Sequence, residues 1–514
     1  MPQWLKDAIF YEIYPQSFYD ANGDGIGDLR GITEKLDYIK DLGCNALWIN
    51  PCFASPFHDA GYDISDYCTI APRYGTNDDM KHLLREAHRR SMRVLLDLVP
   101  GHTSIDHAWF RESMKSDDSP YAGRYIWTGT PWEGFDGVAN VTGMLNGICE
   151  RGSAAVNFFS TQPALNYGFA RPDKPWQSAA DSPEALATRA DIEDVMRFWL
   201  DMGCDGFRVD MAGSLVKGDE DGVETIKAWQ AFRAFLDREF PEAALVSEWG
   251  QPDRALRAGF HMDFLLQFGP SHYNDLFREN PYFSGRGGDL TAFIAYYQKV
   301  SGQAGGNGLI CIPSGNHDMP RMAHKLTPHE MKLGFAFLLS VPGAPFIYYG
   351  DEIGMRYLED LPSVEGGYER TGSRSPMQWD NTLNAGFSRA IPERLYIPLD
   401  PFPDRPNVKQ QLDDGNSILN EVKRLIRFRR DHAALGNDAP IEVITKGGAG
   451  EPLVYVRGAG ESGVTVAINP MPKPVTVTAG QGRGVLYTIG GQPDFTADGV
   501  VLPPQSACFL GKVI

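Results

Sequence analysis

The chain is short of several things, and each shortage removes a class of function. No run of apolar residues approaches the length of about 18 that a membrane-spanning helix requires, so no membrane partner is expected. Lys and Arg total 48 against 66 Asp and Glu, a formal charge of −18. Binding to phosphate backbones needs clustered Lys and Arg, so nucleic acid is excluded as an expected partner. The seven cysteines are odd in number, scattered, and never spaced as CxxC, which argues for mostly buried thiols in a reducing compartment rather than a disulfide framework. Met1-Pro2-Gln3-Trp4-Leu5-Lys6-Asp7 has no apolar stretch behind a basic start, so no secretory leader is expected and the cytoplasm is the expected location.

What is present is an ordinary globular composition, 42% hydrophobic, in 514 residues. That is enough chain for a large core and more than one domain. Residues 8–18, rich in aromatic and β-branched side chains, read as a first strand. Asp20, Asn22, Asp24, Ile26 and Asp28 follow, with oxygen-bearing side chains at every second position up to Asp24 and glycines between. A hard cation needs such an all-oxygen set, calcium by expectation with magnesium as the alternative.

A helix is then expected through Ile32, Leu36, Ile39 and Leu42, a strand over Ala46–Asn50, a helix over 78–90, and a strand over Val94–Val99. The pattern fails between about 103 and 175, which is too long for a plain loop and reads as an inserted domain. It returns with a helix on Ile192, Val195, Met196, Trp199 and Leu200, then strands over 206–210, 244–248, 263–267, 309–313 and 345–349, and a last helix over 417–433. Eight strand–helix repeats point to a closed α/β barrel, the (β/α)8 fold, rather than a doubly wound sheet. Beyond about 440, short strands at 454–456, 464–466, 475–477 and 485–487 lie between Gly- and Pro-rich turns, a small antiparallel β domain. The expected division is residues 1–102 and 176–438 for the barrel, 103–175 for the insert and 439–514 for the β domain.

Acids stand where strands end. Asp210 closes Gly206-Phe207-Arg208-Val209-Asp210, Glu248 closes the strand over 244–248, and Asp318 follows the seventh strand. A single acid at a strand end is ordinarily structural. Three, on separate strands and flanked by Arg, Trp or His, are the equipment for glycosidic cleavage.

Six segments carry a resemblance. Asp97-Leu98-Val99-Pro100-Gly101-His102, residues 206–210, Val246-Ser247-Glu248-Trp249 and Gly315-Asn316-His317-Asp318 resemble the ordered motifs of the α-amylase superfamily, glycoside hydrolase family 13. Residues 162–166 and 343–352 are similar to two further motifs. The resemblance covers essentially the whole chain. It implies Asp210 as nucleophile, Glu248 as general acid/base and Asp318 as the stabiliser that grips sugar hydroxyls, with His102 and His317 hydrogen-bonding the first sugar. Arg208, two residues before Asp210 on the same strand face, is expected to keep that acid ionised.

Among family members the chain looks most like exo-acting α-glucosidases and oligo-1,6-glucosidases. In Asp59-Ala60-Gly61-Tyr62-Asp63, similar to their pocket segment, Tyr62 would stack on the terminal glucose and Asp59 would bind its hydroxyls, with Arg374 pairing to Asp59. The loop 20–28 is similar to their metal site. Gly101 stands where many members carry an Asn that ligates calcium, so a second metal is not expected. Met211 stands where the glucosidases carry a smaller residue that tunes linkage, Ala164 replaces a usual acid, and the stretch between Gly354 and Arg374 is nearer in length to trehalose synthase.

The expectation is a retaining α-glucosidase taking short oligosaccharides or α-glucosides, as a monomer or small homo-oligomer. A transglycosylase or isomerase on the same scaffold is the alternative. A non-catalytic binding module is a minor one, since such members commonly lose the acids that are all present here.

Overall fold

In the computed structural model, which describes every residue except Gln481, Val513 and Ile514, eight parallel strands form one sheet. They are β1 (Phe10–Ile13), β2 (Ala46–Ile49), β3 (Arg93–Leu98), β4 (Gly206–Val209), β5 (Ala244–Ser247), β6 (Met262–Phe264), β7 (Leu309–Cys311) and β8 (Phe346–Tyr348). Neighbours run in chain order from β1 to β7, with β8 beside β1. A parallel bridge between Pro313 and Phe346 closes the ring. The barrel is filled, not hollow: Phe10 stacks on Phe346 at 4.2 Å, and Trp48 and Phe264 pack on the same cluster.

The first element is shorter than expected. Residues 8–18 hold a four-residue strand, and Pro15 then starts a short helix, Pro15–Phe18. Proline fits the first helical turn, where no amide donor is needed. The helix expected through Ile32–Leu42 is two, Leu29–Glu34 and Leu36–Leu42, broken at Lys35. Thr76 caps the next, Asn77–Arg89, through a box with Asp79. The long helix α1 (Pro183–Met202) buries the anticipated face and stops at Gly203 in the left-handed conformation. The last barrel helix, α2 (Ile418–Asp431), buries Leu419, Val422, Leu425 and Ile426.

The sixth strand ends three residues earlier than its apolar run; the buried Leu265 still donates its amide to the Cys311 carbonyl at 3.0 Å, and the ladder stops there. Between β3 and α1 the chain leaves the barrel and makes a short helix, Ala108–Ser113, a 3-10 turn, Ala122–Arg124, and two short strands, Gly143–Leu145 and Ala154–Val156, paired antiparallel.

After α2 come β9 (Ile441–Lys446), β10 (Leu453–Arg457), β11 (Val464–Asn469), β12 (Val475–Val477), β13 (Gly484–Ile489), β14 (Asp494–Thr496), β15 (Gly499–Leu502) and β16 (Ser506–Gly511). They form antiparallel sheets of five and three strands around Val454, Val500, Leu502 and Leu510. Sequence periodicity found four of the eight; of the others β14 and β15 are short, β9 is exposed at alternate positions, and β16 is buried throughout. Phe428 of α2 packs between Tyr487 and Phe509, fastening this domain to the barrel. All seven cysteines are unpaired, five of them buried. Among the described residues no helix is long and apolar enough to cross a membrane.

Candidate active site

The strands deliver their acids to one end of the barrel, the carboxyl end. Asp210 and Glu248 follow β4 and β5 directly, and Asp97 lies within β3. One cation serves all three. Arg208 Nη1 donates to Asp97 Oδ1 at 2.9 Å and to Asp210 Oδ1 at 3.0 Å, and Nη2 lies 2.9 Å from Glu248 Oε2. Gly206 opens this strand because a Cβ there would sit 2.0 Å from the Ala244 carbonyl oxygen.

Arg208 therefore does less for Asp210 than expected. Burial pushes the Asp210 carboxyl well above its ordinary value, the Glu248 charge pushes it further, and Arg208, divided among three acids, only opposes this. A proton retained between two facing carboxyls is what an acid–nucleophile pair requires. Asp97, fully buried beside Arg208 and hydrogen-bonded by Trp48, is raised to about 6 by burial.

Met211 follows in the left-handed region, φ 44°, uncommon for a residue with a side chain. The turn aims its amide at Glu248 Oε2, 3.1 Å away. Backbone strain here fixes the position of the second acid.

Across the mouth Asp318 is anchored by Arg374 Nη2 at 2.8 Å, Arg370 Nη1 at 3.0 Å and His317 Nε2 at 3.2 Å. Burial alone would raise its carboxyl, but the charges around it, at working pH those of Arg370 and Arg374, hold it well below the usual carboxylate range. The pairing expected between Arg374 and Asp59 is not formed. Arg374 turns to Asp318 and to the His317 carbonyl, and Arg370 reaches Asp59 at 3.4 Å. Asp59 also accepts from Gln162 Nε2 at 2.8 Å. Its burial outweighs both partners and raises it to about 7.

Both histidines are buried, and burial lowers each to about 3, so both are neutral at working pH. His317 Nε2 meets the Tyr62 hydroxyl at 2.8 Å and Nδ1 lies 3.0 Å from Glu12, while Tyr62 stacks on the His317 ring at 5.3 Å. His102 Nδ1 accepts from Asn157 Nδ2 at 3.2 Å, which leaves Nε2 to donate to the Tyr62 carbonyl at 3.1 Å. The ring nitrogens expected to meet sugar are thus already engaged by protein, and their first effect is to hold Tyr62.

Asn157 accepts in turn from Lys217 Nζ at 2.9 Å, and burial lowers Lys217 to about 7. Lys217, Asn157 and Arg370 carry no signal that periodicity or acid-at-strand-end reasoning could detect; the first two lie in irregular segments and Arg370 in a 3-10 turn, Tyr368–Ser373. Gly101 is explained here too. A Cβ at 101 would come within 2.7 Å of the Asn157 amide nitrogen, so Asn157 fills the space that a side chain at 101 would take.

Asp59, Tyr62, His102, Asp210, Glu248 and Asp318 line one cavity of about 520 Å³, together with Arg370, Phe158, Met211, Trp249 and Phe268. Arg374 and Arg208 stand behind it. The residues of loop 20–28 are elsewhere. Asp20 accepts from the amides of Gly23 and Gly25, Asp28 from those of Ala21, Asn22 and Gly31, and Asp24 from that of Ile26. Among the described residues no three Asp, Glu, His or Cys side chains converge to hold a metal ion. The loop's donors are all oxygen and suit a hard cation, although its own amides now engage them.

Facing carboxylates sharing an arginine at the carboxyl end of a closed (β/α)8 barrel define an enzyme of glycoside chemistry. Residues 12–438 match the α-amylase catalytic domain, and the chain belongs to that family, glycoside hydrolase family 13. It is 33% identical to the trehalose synthase/amylase TreS of Mycolicibacterium smegmatis over 94% of this chain and 87% of the relative. It is also 33% identical to an oligo-1,6-glucosidase of Parageobacillus thermoglucosidasius, over 84% of each. The solved trehalulose synthase MutB from Pseudomonas mesoacidophila MX-45 superposes with a TM-score of 0.82 at 28% identity, covering 99% of both chains.

Proposed function

We propose that the chain is a retaining, exo-acting α-glucosidase that removes a terminal α-linked glucose from short oligosaccharides or α-glucosides. The observation that carries this reading is the chain of ion pairs Asp59–Arg370–Asp318 among the residues that line the cavity. Such a bridge would leave room for one terminal sugar and bar a passing chain. Asp59 and Asp318 would accept hydrogen bonds from that sugar's hydroxyls, and Tyr62 would cover its face.

Asp210 attacks the anomeric carbon, the bond to the leaving oxygen breaks, and Glu248 gives that oxygen its proton. A water then yields a proton to Glu248, its oxygen bonds to the anomeric carbon, and Asp210 is released as a carboxylate. Asp318, held ionised by its arginines, stabilises the positive charge that develops on the ring.

A second reading rests on the relatives' names, trehalose synthase and trehalulose synthase. On the same intermediate, a sugar hydroxyl in place of water makes the enzyme a transglycosylase or isomerase. The deciding experiment is product analysis from maltose, isomaltose and sucrose. Free glucose as the main product supports hydrolysis; a rearranged disaccharide as the main product overturns it in favour of transfer.

A further inference from the structure

One buried acid of the barrel wall has no part in the chemistry above. Asp263, the middle residue of β6, has no exposed surface, and its neighbours Met262 and Phe264 are apolar. Among the described residues its Oδ2 has no hydrogen-bond partner. Burying a carboxyl with an unmet oxygen costs more than burying an apolar side chain of similar size, so packing does not account for it.

Its other oxygen spans the general acid. Oδ1 accepts from the Ser247 hydroxyl at 2.7 Å and from the Trp249 amide at 3.2 Å, the residues on either side of Glu248. The sheet explains the need. β5 and β6 pair in register only as far as Ser247 with Asp263, and β5 ends there. On the β4 side the backbone still holds Glu248: its amide donates to the Val209 carbonyl at 2.9 Å, and its carbonyl accepts from the Ala212 amide at 3.2 Å. On the β6 side the ladder has stopped, and Leu265 donates to Cys311 of β7 instead. The Asp263 side chain takes the place of that ladder just before Gly250 enters the left-handed region, φ 71°. The Glu248 carboxyl is itself held by one oxygen, Oε2, which meets Arg208 Nη2 at 2.9 Å and the Met211 amide at 3.1 Å, both from the β4 side.

Burial pushes Asp263 up to about 7, against the opposing effect of Ser247 and of the Trp249, Gly250 and Phe264 amides. Protonated on Oδ2 or ionised, it leaves Oδ1 an acceptor, and an asparagine offers the same oxygen.

We propose that Asp263 is a positioning residue for the acid/base step: by gripping Ser247 and Trp249 it fixes the backbone from which Glu248 reaches the leaving oxygen. The inference rests on Glu248 as the general acid of the proposed function, and not on the choice between hydrolysis and transfer.

The test compares two leaving groups. Substrate loss, which counts hydrolysis and transfer alike, is followed on the fastest of maltose, isomaltose and sucrose, whose leaving oxygen needs a proton, and on α-glucosyl fluoride, whose fluoride needs little. Asp263→Ala should lower kcat/KM by about 10²-fold on the disaccharide, the scale of a catalytic group misplaced by about 1 Å, and by less than about 3-fold on the fluoride. Asp263→Asn should recover most of that loss. Equal losses on both substrates, or no loss, make Asp263 a structural residue and overturn the proposal. If Asp263→Ala does not fold, Ser247→Ala, which removes one of the two grips, decides by the same comparison. Glu248→Ala, run in parallel, isolates the premise. If it shows no leaving-group dependence, the acid assignment fails and this inference with it; if it does while Asp263→Ala does not, this inference alone fails.

Discussion

Arg208 reaches Asp210 with the same nitrogen that holds Asp97, 3.0 Å to one acid and 2.9 Å to the other. Three carboxylates, two of them buried, thus depend on a single guanidinium, and a point charge cannot replace its fork. Arg208→Lys should lower kcat by about 10²–10³-fold, the scale of losing one preorganised electrostatic partner. The unpaired acids should also cost about 3–5 kcal/mol of stability. Steady-state rates and thermal melts of one preparation check both; a fully active, equally stable lysine variant refutes the shared-cation arrangement.

Asp210 and Glu248 are separable by what rescues them. Asp210→Asn should lose turnover by at least about 10⁴-fold, as removal of other covalent nucleophiles does. Glu248→Ala should keep attack on substrates whose leaving group needs no proton, and azide, which needs no base, should then yield the α-glucosyl azide. Product stereochemistry by NMR reads this directly: a β-azide from Glu248→Ala, or near-normal rates in Asp210→Asn, contradicts the assignment.

Asp59 sets a pH dependence. Burial raises it to about 7, so below that pH it is protonated and no longer pairs ionically with Arg370 or binds sugar hydroxyls as an anion. The acid limb of kcat/KM should therefore fall as pH drops through about 7. Asp59→Asn should flatten that limb and weaken binding by about 1.5–3 kcal/mol, the worth of hydrogen bonds to a charged group. An unchanged limb in the variant assigns it to another acid.

The barrel was legible because each strand is a short buried run, and at β4 and β5 an acid stands at its outer end, Asp210 and Glu248. The positions of those acids follow from the strand register. What the sequence could not show is how side chains from irregular segments are shared. Arg374 was expected at Asp59, but Arg374 and Arg370 both lie in the stretch after β8, and only its folded path places Arg370 at Asp59 and Arg374 at Asp318. The same holds for Asn157, which meets His102 from 55 residues away, and for Lys217, which meets Asn157 from 60. Strand lengths failed where apolar runs continue past the barrel, as at Leu265.

Lys217 is wholly buried and burial lowers it to about 7. Below pH 7 it is protonated both folded and unfolded, and the desolvation penalty is present in full. Between about 7 and 10.4 the unfolded chain binds the extra proton, so stability should rise with pH, by roughly 5 kcal/mol in total from this group. Lys217→Met removes that slope, so the parent's advantage over the variant should grow from pH 7 to 9.5 in denaturant titrations. His102 also loses the chain through Asn157 that fixes its tautomer, so KM should rise more than kcat falls. A constant stability difference across the range places the lysine proton elsewhere.

Loop 20–28 gives the cation question a direct measurement. Asp20 and Asp28 are buried and hydrogen-bonded to the loop's amides, whereas Asn22 and Asp24 face solvent. If the all-oxygen set holds a structural cation, binding stabilises only the folded chain, by about 2.7 kcal/mol at a hundredfold excess over Kd. Melting temperature should then fall on chelation and recover with calcium, less with magnesium, whose smaller shell demands near-octahedral geometry. Asp24→Ala, an exposed change that leaves the turn's buried hydrogen bonds in place, should abolish the calcium response without altering the chelated baseline. A melting temperature indifferent to chelator, calcium and magnesium would make the loop a self-satisfied turn whose acids serve its own amides.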